Sequence, residues 1–404
     1  MNPVTRAWRV FRKQGVRAVV RKALDRLNRR GGTFHSLVRA EDVLVVDWRT
    51  PHRWQTEPRE IGDGPWTIAW IMSPPGANSG GHQNIFRFIA FLERAGHRVR
   101  IYIDSTVEAL TVSEVRERVS SSSSYTDLAA TIEEFPRDGL PDDVDAIVAT
   151  GWETAYLSQR DQSNARRFYF VQDLESLFYP ASTDAVLAEN TYRFGFLGLT
   201  AGNWLATRLR DEYGMSTTPF EFGADTTNYR VTETGRRNAV FFYARPGTPR
   251  RGFELGRLAL ELVVRDRPAT QVILAGQSLP AEAVPFPHEN PGNVQVGDLS
   301  ALYNRCAAGL VLSLTNMSLL PLELLASGVI PVVNDAPNNR MVSNNPFIAY
   351  VPPSPRALAD AIIAALDRPD QPEYAVAAAE SLVGHTWEES GAQFLAALEG
   401  GMRG

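Results

Sequence analysis

The sequence alternates twice between short apolar, β-prone runs and helical stretches, and this pattern constrains the fold more than any other feature. The first series holds the runs Thr67–Met72, Val99–Ile103, Ala146–Thr150, Phe168–Val171 and Leu197–Thr200. The second holds Ala239–Tyr243, Gln271–Leu274, Val294–Val296, Gly309–Leu314 and Ile330–Val333. Strands that alternate with helices build parallel sheets with helices on both faces. We therefore expect an α/β chain with two doubly wound, Rossmann-like domains.

A polar stretch, Thr226–Arg237, separates the two series and predicts a linker. A chain of 404 residues is long enough for two cores. The predicted units are a basic amphipathic helix (1–32), a first Rossmann-like domain (33–225), a second (226–370) and a helical segment that packs back towards the first domain (371–404). Predicted helices include Gln83–Ala95, Trp204–Tyr213, Phe253–Arg265, Ala301–Ala307, Pro321–Ser327 and Ala357–Leu366.

Charge is distributed unevenly along the chain. Residues 1–30 hold ten basic side chains and one acid, whereas the other 374 residues hold 31 basic and 45 acidic ones. An acidic body argues against nucleic acid as a partner. The basic segment 3–30 favours an interfacial helix on an anionic membrane, and an extension that packs on the body or stays solvated is the alternative.

Neither a metal nor a cofactor is expected. Cys306 is the only cysteine, which excludes an internal disulfide and a cysteine-built zinc site. The six histidines lack close metal-ligand spacing, and Asp143-Val-Asp145 precedes a strand, away from its carboxyl end, which is typical of a solvated turn. The sequence has no run of about 20 apolar residues and no secretory signal, so we expect a cytoplasmic protein, peripheral at the inner face of the plasma membrane.

Two loops follow strands at positions where open α/β sheets bind ligands. The stretch Ser73–His82 contains Gly80 and Gly81 ahead of a helix, so its backbone can approach a ligand closely, although a flexible turn is the alternative. The stretch Ala244–Phe253 contains three arginines, and guanidinium groups form bidentate bonds with phosphate. A solvated basic turn is the alternative there.

A third segment, Ser318–Val333, predicts a helix followed by a strand. Pro321 marks the helix start, Glu323 lies in the first turn and Gly328 comes at the end. A carboxylate there can accept two hydrogen bonds from a cis-diol such as ribose. It can equally be a partner of the helix dipole.

The stretch 238–335 resembles the donor-binding half of the family-4 GT-B glycosyltransferases. More narrowly, Tyr169–Pro180 together with Pro321-Leu-Glu323 is similar to WsaF-type rhamnosyltransferases, which use dTDP-L-rhamnose. The resemblance spans about residues 65–365. It implies a GT-B fold, in which two Rossmann-like domains face a cleft, and a reaction that needs no metal and retains the anomeric configuration.

The resemblance also implies roles for individual residues. The pyrophosphate of the donor would be held by Arg245 and Arg251, the ribose by Glu323, and the sugar or phosphates by the backbone of Ser318, Leu319 and Leu320. Gly297, Asp298 and Leu299 would face the base. Gly80, Gly81 and His82 would line the acceptor side, and Gln172 and Asp173 stand where relatives place a catalytic or sugar-contacting histidine. The expected catalytic group is therefore Asp173, Gln172 and His82.

Two departures from the family pattern bear on the substrate. Thr315 stands where the family has the first of two glutamates, the one that contacts the donor sugar, so a 6-deoxy sugar or an unusual hexose is compatible. No histidine stands at Gln172–Asp173, so Asp173 is expected to position the acceptor.

The resulting expectation is an enzyme that moves a sugar, L-rhamnose being one candidate, from a nucleotide diphosphate to a glycan or lipid-linked acceptor in cell-envelope polysaccharide synthesis. Two alternatives stay open, since sites rather than folds set chemistry. One is a nucleotide-sugar epimerase or hydrolase. The other is a non-catalytic subunit that binds sugar nucleotides.

Overall fold

The computed structural model describes residues 36–403 apart from 77–78, 107, 109 and 123–124. The basic segment 3–30, and with it the predicted unit 1–32, lies outside the described residues. The described part contains two parallel sheets covered by helices.

The first domain is built on a seven-stranded sheet in the order β3-β2-β1-β4-β5-β6-β7, with every neighbouring pair parallel. The strands are β1 (Thr67–Met72), β2 (Arg98–Ile103), β3 (Thr131–Glu134), β4 (Ala146–Ala149), β5 (Arg166–Val171), β6 (Leu197–Ala201) and β7 (Thr217–Phe220). The helices are α1 (Ala40–Leu44), α2 (Arg53–Thr56), α3 (Gly80–Arg94), α4 (Val112–Ser120), α5 (Trp152–Arg160), α6 (Thr183–Thr191) and α7 (Asn203–Tyr213). Strands β1 and β4 are buried along their whole length because helices cover both faces of the sheet.

The second domain has a six-stranded parallel sheet in the order β10-β9-β8-β11-β12-β13. The strands are β8 (Ala239–Tyr243), β9 (Gln271–Ala275), β10 (Glu289–Gly292), β11 (Cys306–Val311), β12 (Ile330–Asn334) and β13 (Ala349–Val351). The helices that follow β8 are α8 (Phe253–Asp266), α9 (Val296–Tyr303), α10 (Leu320–Ala326), α11 (Pro337–Arg340), α12 (Pro355–Asp367), α13 (Gln371–Glu380) and α14 (Trp387–Arg403). The segment between Phe220 and Ala239 contains no helix or strand and links the two sheets.

Both sheets reverse their winding direction at one point. In the first, the chain moves outward from β1 to β2 and β3 and then returns to the other side of β1 with β4; in the second, β8 and β11 form the same kind of boundary. Ligands of open α/β sheets bind in the crevice at the carboxyl ends of the strands at such a point. The loops after β1 and β4, and after β8 and β11, are therefore where a site is expected.

The strands that sequence reasoning missed or placed on the wrong segment are edge strands, whereas the central strand expected at Gly309–Leu314 is only shifted and runs Cys306–Val311. The expected strand Val294–Val296 is wrong, since helix α9 begins at Val296 and the strand is Glu289–Gly292. The expected helix Ala301–Ala307 is wrong as well, because α9 ends at Tyr303 and β11 starts at Cys306. Strands β3, β7, β10 and β13 stand at the four edges of the two sheets. An edge strand packs against few neighbours, so its sequence needs no apolar pattern.

The two helices of the 371–404 segment pack in different places. Ala378 of α13 is buried in a core cluster of the second domain. Phe394 and Leu398 of α14 are buried in the core of the first domain, and the ring centroids of Phe394 and Phe88 are 4.5 Å apart. The chain thus crosses back to the first domain at its end, which ties the two domains together a second time beside the linker.

Replacing Gly223 of the linker with alanine should lower the free energy of unfolding by about 1–3 kcal/mol, the usual cost of overpacking. A Cβ atom at Gly223 would lie 2.4 Å from the backbone nitrogen of Trp387, so the start of α14 would have to move. Gly235→Ala in the same linker is the matched control, because a Cβ there has nothing within 4 Å. Urea denaturation measures both, and equal losses in the two variants would contradict the packing of α14 on the linker.

Candidate active site at the domain junction

The carboxyl edges of the two sheets are joined through Asp173, which follows β5. Its Oδ1 accepts a hydrogen bond from the backbone nitrogen of Asn316 (2.8 Å), and its Oδ2 accepts one from the hydroxyl of Thr315 (2.9 Å). The side-chain amide of Asn316 donates to the carbonyls of Gln172 and Ala201, at 3.0 Å each. The loop after β11 is therefore bound to the ends of β5 and β6, and the crevices of the two sheets share one junction.

Three arginines from the loop after β8 gather at this junction. Arg251 donates to the hydroxyl of Ser313 (3.2 Å), and Arg245 donates to the hydroxyl of Tyr243 (3.0 Å). The guanidinium carbon of Arg250 lies 3.9 Å from the ring centroid of Phe178, across the junction. Its Nε lies 3.7 Å from Oδ2 of Asp173, too far for a hydrogen bond, and is buried without a hydrogen-bond partner among the described residues.

The charges of these arginines are incompletely balanced. Burial lowers the pKa of Arg251, Asp173 raises it, and the neighbouring Arg250 and Arg245 lower it further. Like charges that are partly removed from water cost free energy unless an anion joins them. The cluster Arg245, Arg250 and Arg251, which we call the arginine cluster, is thus suited to bind a diphosphate.

Glu323 lies in a small cavity between the domains. Helix α10 begins at Leu320 with Pro321 in its first turn, and Oε2 of Glu323 accepts a hydrogen bond from the hydroxyl of Tyr303 (3.1 Å). Both domains and the linker line the cavity, through Gln83, Arg87, Gly223, Asp225, Tyr229, Val296, Leu319, Leu322, Glu323 and Trp387. Burial raises the pKa of Glu323 to about 7; the Tyr303 hydrogen bond and the charge of Arg87 lower it, and Asp225 raises it.

Tyr243 connects the arginine cluster with the residues around Glu323. Its hydroxyl accepts a hydrogen bond from Arg245, and its ring packs against the core cluster that contains Tyr303, the partner of Glu323. Arg245, Arg251 and Glu323, the three side chains expected to hold the donor, all belong to the second domain. Their joint role in holding one donor stays a prediction.

The remaining residues expected to hold the donor lie around the start of α10 and α9. Leu319 lines the cavity at Glu323, and Ser318 and Leu320 flank it at the helix start. Gly297, Asp298 and Leu299 form the first turns of α9, where a strand end was expected. Among the described residues that line the cavity, only Val296 comes from this helix. The assignment of Gly297, Asp298 and Leu299 to a base-binding surface therefore stays a prediction.

On the first domain, Gln172 fastens the start of α3. Its side-chain nitrogen donates to the carbonyl of Gly81 (3.1 Å), and its side-chain oxygen accepts from the amide of Asn84 (3.0 Å). Gly80 and Gly81 open helix α3 behind the N-cap Ser79. Both ends of its amide hold this turn, which favours a positioning role, and the expected place of Gln172 in a catalytic group stays a prediction.

His82 has hydrogen-bond partners at both of its ring nitrogens. Its Nε2 donates to the carbonyl of Ser73 (3.1 Å), and its Nδ1 lies 2.9 Å from the hydroxyl of Ser79, from which it accepts. Burial lowers the pKa of His82 to about 4, so the ring is neutral at neutral pH. These contacts hold the residues around the start of α3, and the expected catalytic role of His82 stays a prediction.

Asp173 and Thr315 contact each other across the junction. Asp173 is expected to be catalytic or to position the acceptor, and its two oxygens accept hydrogen bonds from Thr315, Asn316 and its neighbour Leu174. Burial raises the pKa of Asp173, while the bond from Asn316 and the charge of Arg251 lower it. These contacts favour a positioning role between the domains, and the expected roles of Asp173 and Thr315 at the substrate stay predictions.

Sequence reasoning missed Arg87, Asp225 and Asn316, whereas Arg250 belongs to the arginine-rich loop that it identified. Asn316 adjoins the predicted residue Thr315, so proximity in sequence could have indicated it. Arg87 and Asp225 carried no local signal, because they meet in an ion pair (3.0 Å) between α3 and the linker. Only the assembled junction shows them.

No group of three or more metal-ligating side chains is close enough to hold an ion among the residues that the structure describes. Asp143 pairs with Arg100, and Asp145 accepts a hydrogen bond from the backbone of Thr67, at the start of β1. Within the described ranges, no helix combines the length and apolar character needed to cross a bilayer.

The sequence of this chain is similar to those of known proteins. Residues 238–363 match the family of the WsaF C-terminal domain. The O-antigen biosynthesis protein RfbC of Myxococcus xanthus is 35% identical over 285 residues, which cover 68% of this chain and 22% of that protein. The chain thus spans about a fifth of the length of this relative.

Two solved structures are similar across most of the chain. HepE from Anabaena, in complex with UDP-glucose, has a TM-score of 0.63 at 16% identity and covers 83% of this chain and 99% of its own. A glycosyltransferase from Rickettsia africae has a TM-score of 0.59 at 13% identity, over 84% of this chain and 98% of its own. These similarities confirm the expected fold of two Rossmann-like domains. The chain therefore has the two-domain fold of the GT-B glycosyltransferases, and its residues 238–363 are related to the WsaF C-terminal domain.

Proposed function

We propose that this protein is a glycosyltransferase that acts in the synthesis of O-antigen or a similar cell-envelope polysaccharide. Support comes above all from the arginine cluster, whose unbalanced charge and unpartnered Arg250 Nε lie in the loop after β8, at the carboxyl edge of the second sheet. The diphosphate of a nucleotide-sugar donor would bind this cluster, and its nucleoside would bind at Glu323. The WsaF match and the similarity to RfbC point to the same function.

The reaction breaks the bond between the anomeric carbon of the donor sugar and the diphosphate, and forms a bond from that carbon to an acceptor hydroxyl. Negative charge grows on the leaving diphosphate, so cations placed beforehand stabilise the transition state. Arg245, Arg250 and Arg251 would supply this charge without a metal ion. The acceptor proton leaves with the diphosphate if configuration is retained, as the family resemblance implies.

The nucleoside of the donor would lie at Glu323. An ionised carboxylate accepts hydrogen bonds from sugar hydroxyls, and a ribonucleotide offers two neighbouring hydroxyls, whereas a deoxyribonucleotide such as dTDP offers one. We propose L-rhamnose as the transferred sugar because the resemblance to rhamnosyltransferases includes Tyr169–Pro180 and Pro321–Glu323. A glycan or lipid-linked acceptor would enter from the side of the first domain, beneath Gly80 and Gly81.

The expected location of the protein in the cell follows from its proposed acceptor. A lipid-linked saccharide is presented at a membrane surface, and the basic segment 3–30 would be attracted to anionic lipid there. We therefore propose peripheral association with the inner face of the plasma membrane. That association remains a prediction from charge.

Glu323→Gln should bind the donor about 10- to 100-fold more weakly, because a hydrogen bond to a charged group is worth about 1.5–3 kcal/mol.

Transfer should be observed when the purified protein is incubated with labelled nucleotide sugars and membrane extract, with dTDP-L-rhamnose included among the donors. The label should appear in an acceptor only when extract is present. Turnover without extract would indicate a hydrolase or epimerase instead, and tight binding without turnover a non-catalytic subunit.

A further inference from the structure

The cavity at Glu323 is closed on one side by the first domain. Gln83 and Arg87 of α3 line it together with Glu323 and Leu319 of the second domain. Asp225, from the linker, pairs with Arg87 at 3.0 Å. Both side chains are largely buried, with 18% of Arg87 and 15% of Asp225 exposed. Three ionisable groups from three parts of the chain therefore meet where the nucleoside of a donor would lie.

Arg87 is held in place from two sides. Besides the ion pair with Asp225, its guanidinium carbon lies 4.3 Å from the ring centroid of Trp387, at the start of α14. A guanidinium over an indole is attracted by the face of the ring, and this attraction restricts where the guanidinium can lie. Arg87 is thus fixed at the wall of the cavity, on the side opposite α10.

We propose that Arg87 completes the nucleoside-binding site from the first domain, holding the Glu323 carboxylate ready to accept nucleoside hydroxyls, and that Asp225 competes with Glu323 for the same guanidinium. The inference rests on the proposed function insofar as the ligand is the nucleotide part of the donor. It assigns to this site two residues that no motif indicated.

The charges around Glu323 determine in which direction each substitution should shift the pKa of Glu323. Charged and titratable groups face Glu323 from each neighbouring element: Arg87 on α3, Asp225 and Tyr229 on the linker, and Tyr303 on α9. Burial raises the pKa of Glu323 to about 7, with Arg87 lowering it and Asp225 raising it. Because an ionised carboxylate is a stronger hydrogen-bond acceptor than a protonated one, nucleotide affinity should fall as the pH drops below about 7.

The test uses the full-length protein, with UDP and dTDP as probes, and measures affinity by calorimetry from pH 5.5 to 8.5. Arg87→Met should move the midpoint of the pH dependence upward and weaken binding at pH 7, about 10-fold per unit of pKa. Asp225→Asn should move it downward, and Arg87→Lys should stay near wild type. Opposite signs are decisive, since both changes remove the same ion pair and a merely structural pair would shift both variants alike.

Two controls separate this inference from the proposed function. In a Glu323→Gln background, the pH dependence that remains comes from titration of the phosphate of the probe. Neither Arg87→Met nor Asp225→Asn should move the midpoint of this remaining pH dependence. Thermal unfolding of each variant shows whether it folds. If wild type binds neither probe, the proposed function fails; if it binds but both variants move the midpoint in the same direction or not at all, the inference on Arg87 is overturned and the proposed function stands.

Discussion

Arg251→Met should lower kcat/KM for sugar transfer by about 100- to 1,000-fold, the usual loss when one preorganised donor to a developing oxyanion is removed. Arg251 lies in the arginine cluster with Arg245 and Arg250 nearby. The diphosphate would lose a charge in the transition state, where it matters most. The measurement is steady-state transfer from a labelled nucleotide sugar to membrane-extract acceptors.

This loss should occur without unfolding. Methionine keeps the unbranched apolar stem of the side chain, and Ser313, the hydrogen-bond partner of Arg251, still donates to the carbonyl of Asn316. Asp173 likewise keeps its bonds from Thr315 and Asn316, so no buried group is left without a partner. Arg251→Lys, which keeps the charge, should lose less activity. Arg265→Met, an exposed change at the end of α8, is the control for arginine loss, and an active Arg251→Met enzyme would contradict the diphosphate site.

Asp173→Ala should destabilise the domain junction by about 3–5 kcal/mol, the cost of removing one partner of a buried charged contact. The backbone nitrogen of Asn316 and the hydroxyl of Thr315 would lose their acceptor, and the arginine cluster would lose its neighbouring carboxylate. Transfer should fall with it, because the loop after β11 would no longer be held. Urea denaturation and small-angle scattering measure the loss of stability and of closure.

Asp173→Asn separates a positioning role from a catalytic one. The asparagine oxygen can still accept from Asn316, and its amide can still bond the hydroxyl of Thr315, so the junction should remain closed. We expect this variant to keep much of its activity, whereas a carboxylate needed for proton transfer would be as inactive in asparagine as in alanine. Equal, complete inactivity of both variants at normal stability would return Asp173 to the catalytic group.

Much of the architecture follows from the sequence because the buried strands must be apolar on both faces. Strand β1 matches the predicted Thr67–Met72 in full, and β8 matches Ala239–Tyr243. The polar stretch 226–237 lies in the segment between the sheets that has no helix or strand. By contrast, edge strands such as Glu289–Gly292 carry no such requirement, and their positions came only from the sheet itself.

The candidate site divides in the same way. Arg251 and Glu323 were identified from local patterns, an arginine-rich loop and a helix start, since each pattern spans only a few residues. The partners of Asp173 could not be found from local patterns, because Asn316 lies 143 residues away and its hydrogen bond to Asp173 depends on how the domains meet. The ion pair of Arg87 and Asp225, 138 residues apart, is of the same kind.

From the sequence alone came the class of the fold, the linker and the loops that face a ligand, since these depend on short-range periodicity and on residue types near strand ends. Tertiary structure alone decided which groups each side chain contacts there: it gave His82 and Asp173 hydrogen-bond partners that hold neighbouring loops, and it brought Arg87 to the cavity at Glu323. The physical reason is that hydrogen bonds, burial and charge depend on distance in space, and folding sets those distances between residues far apart along the chain.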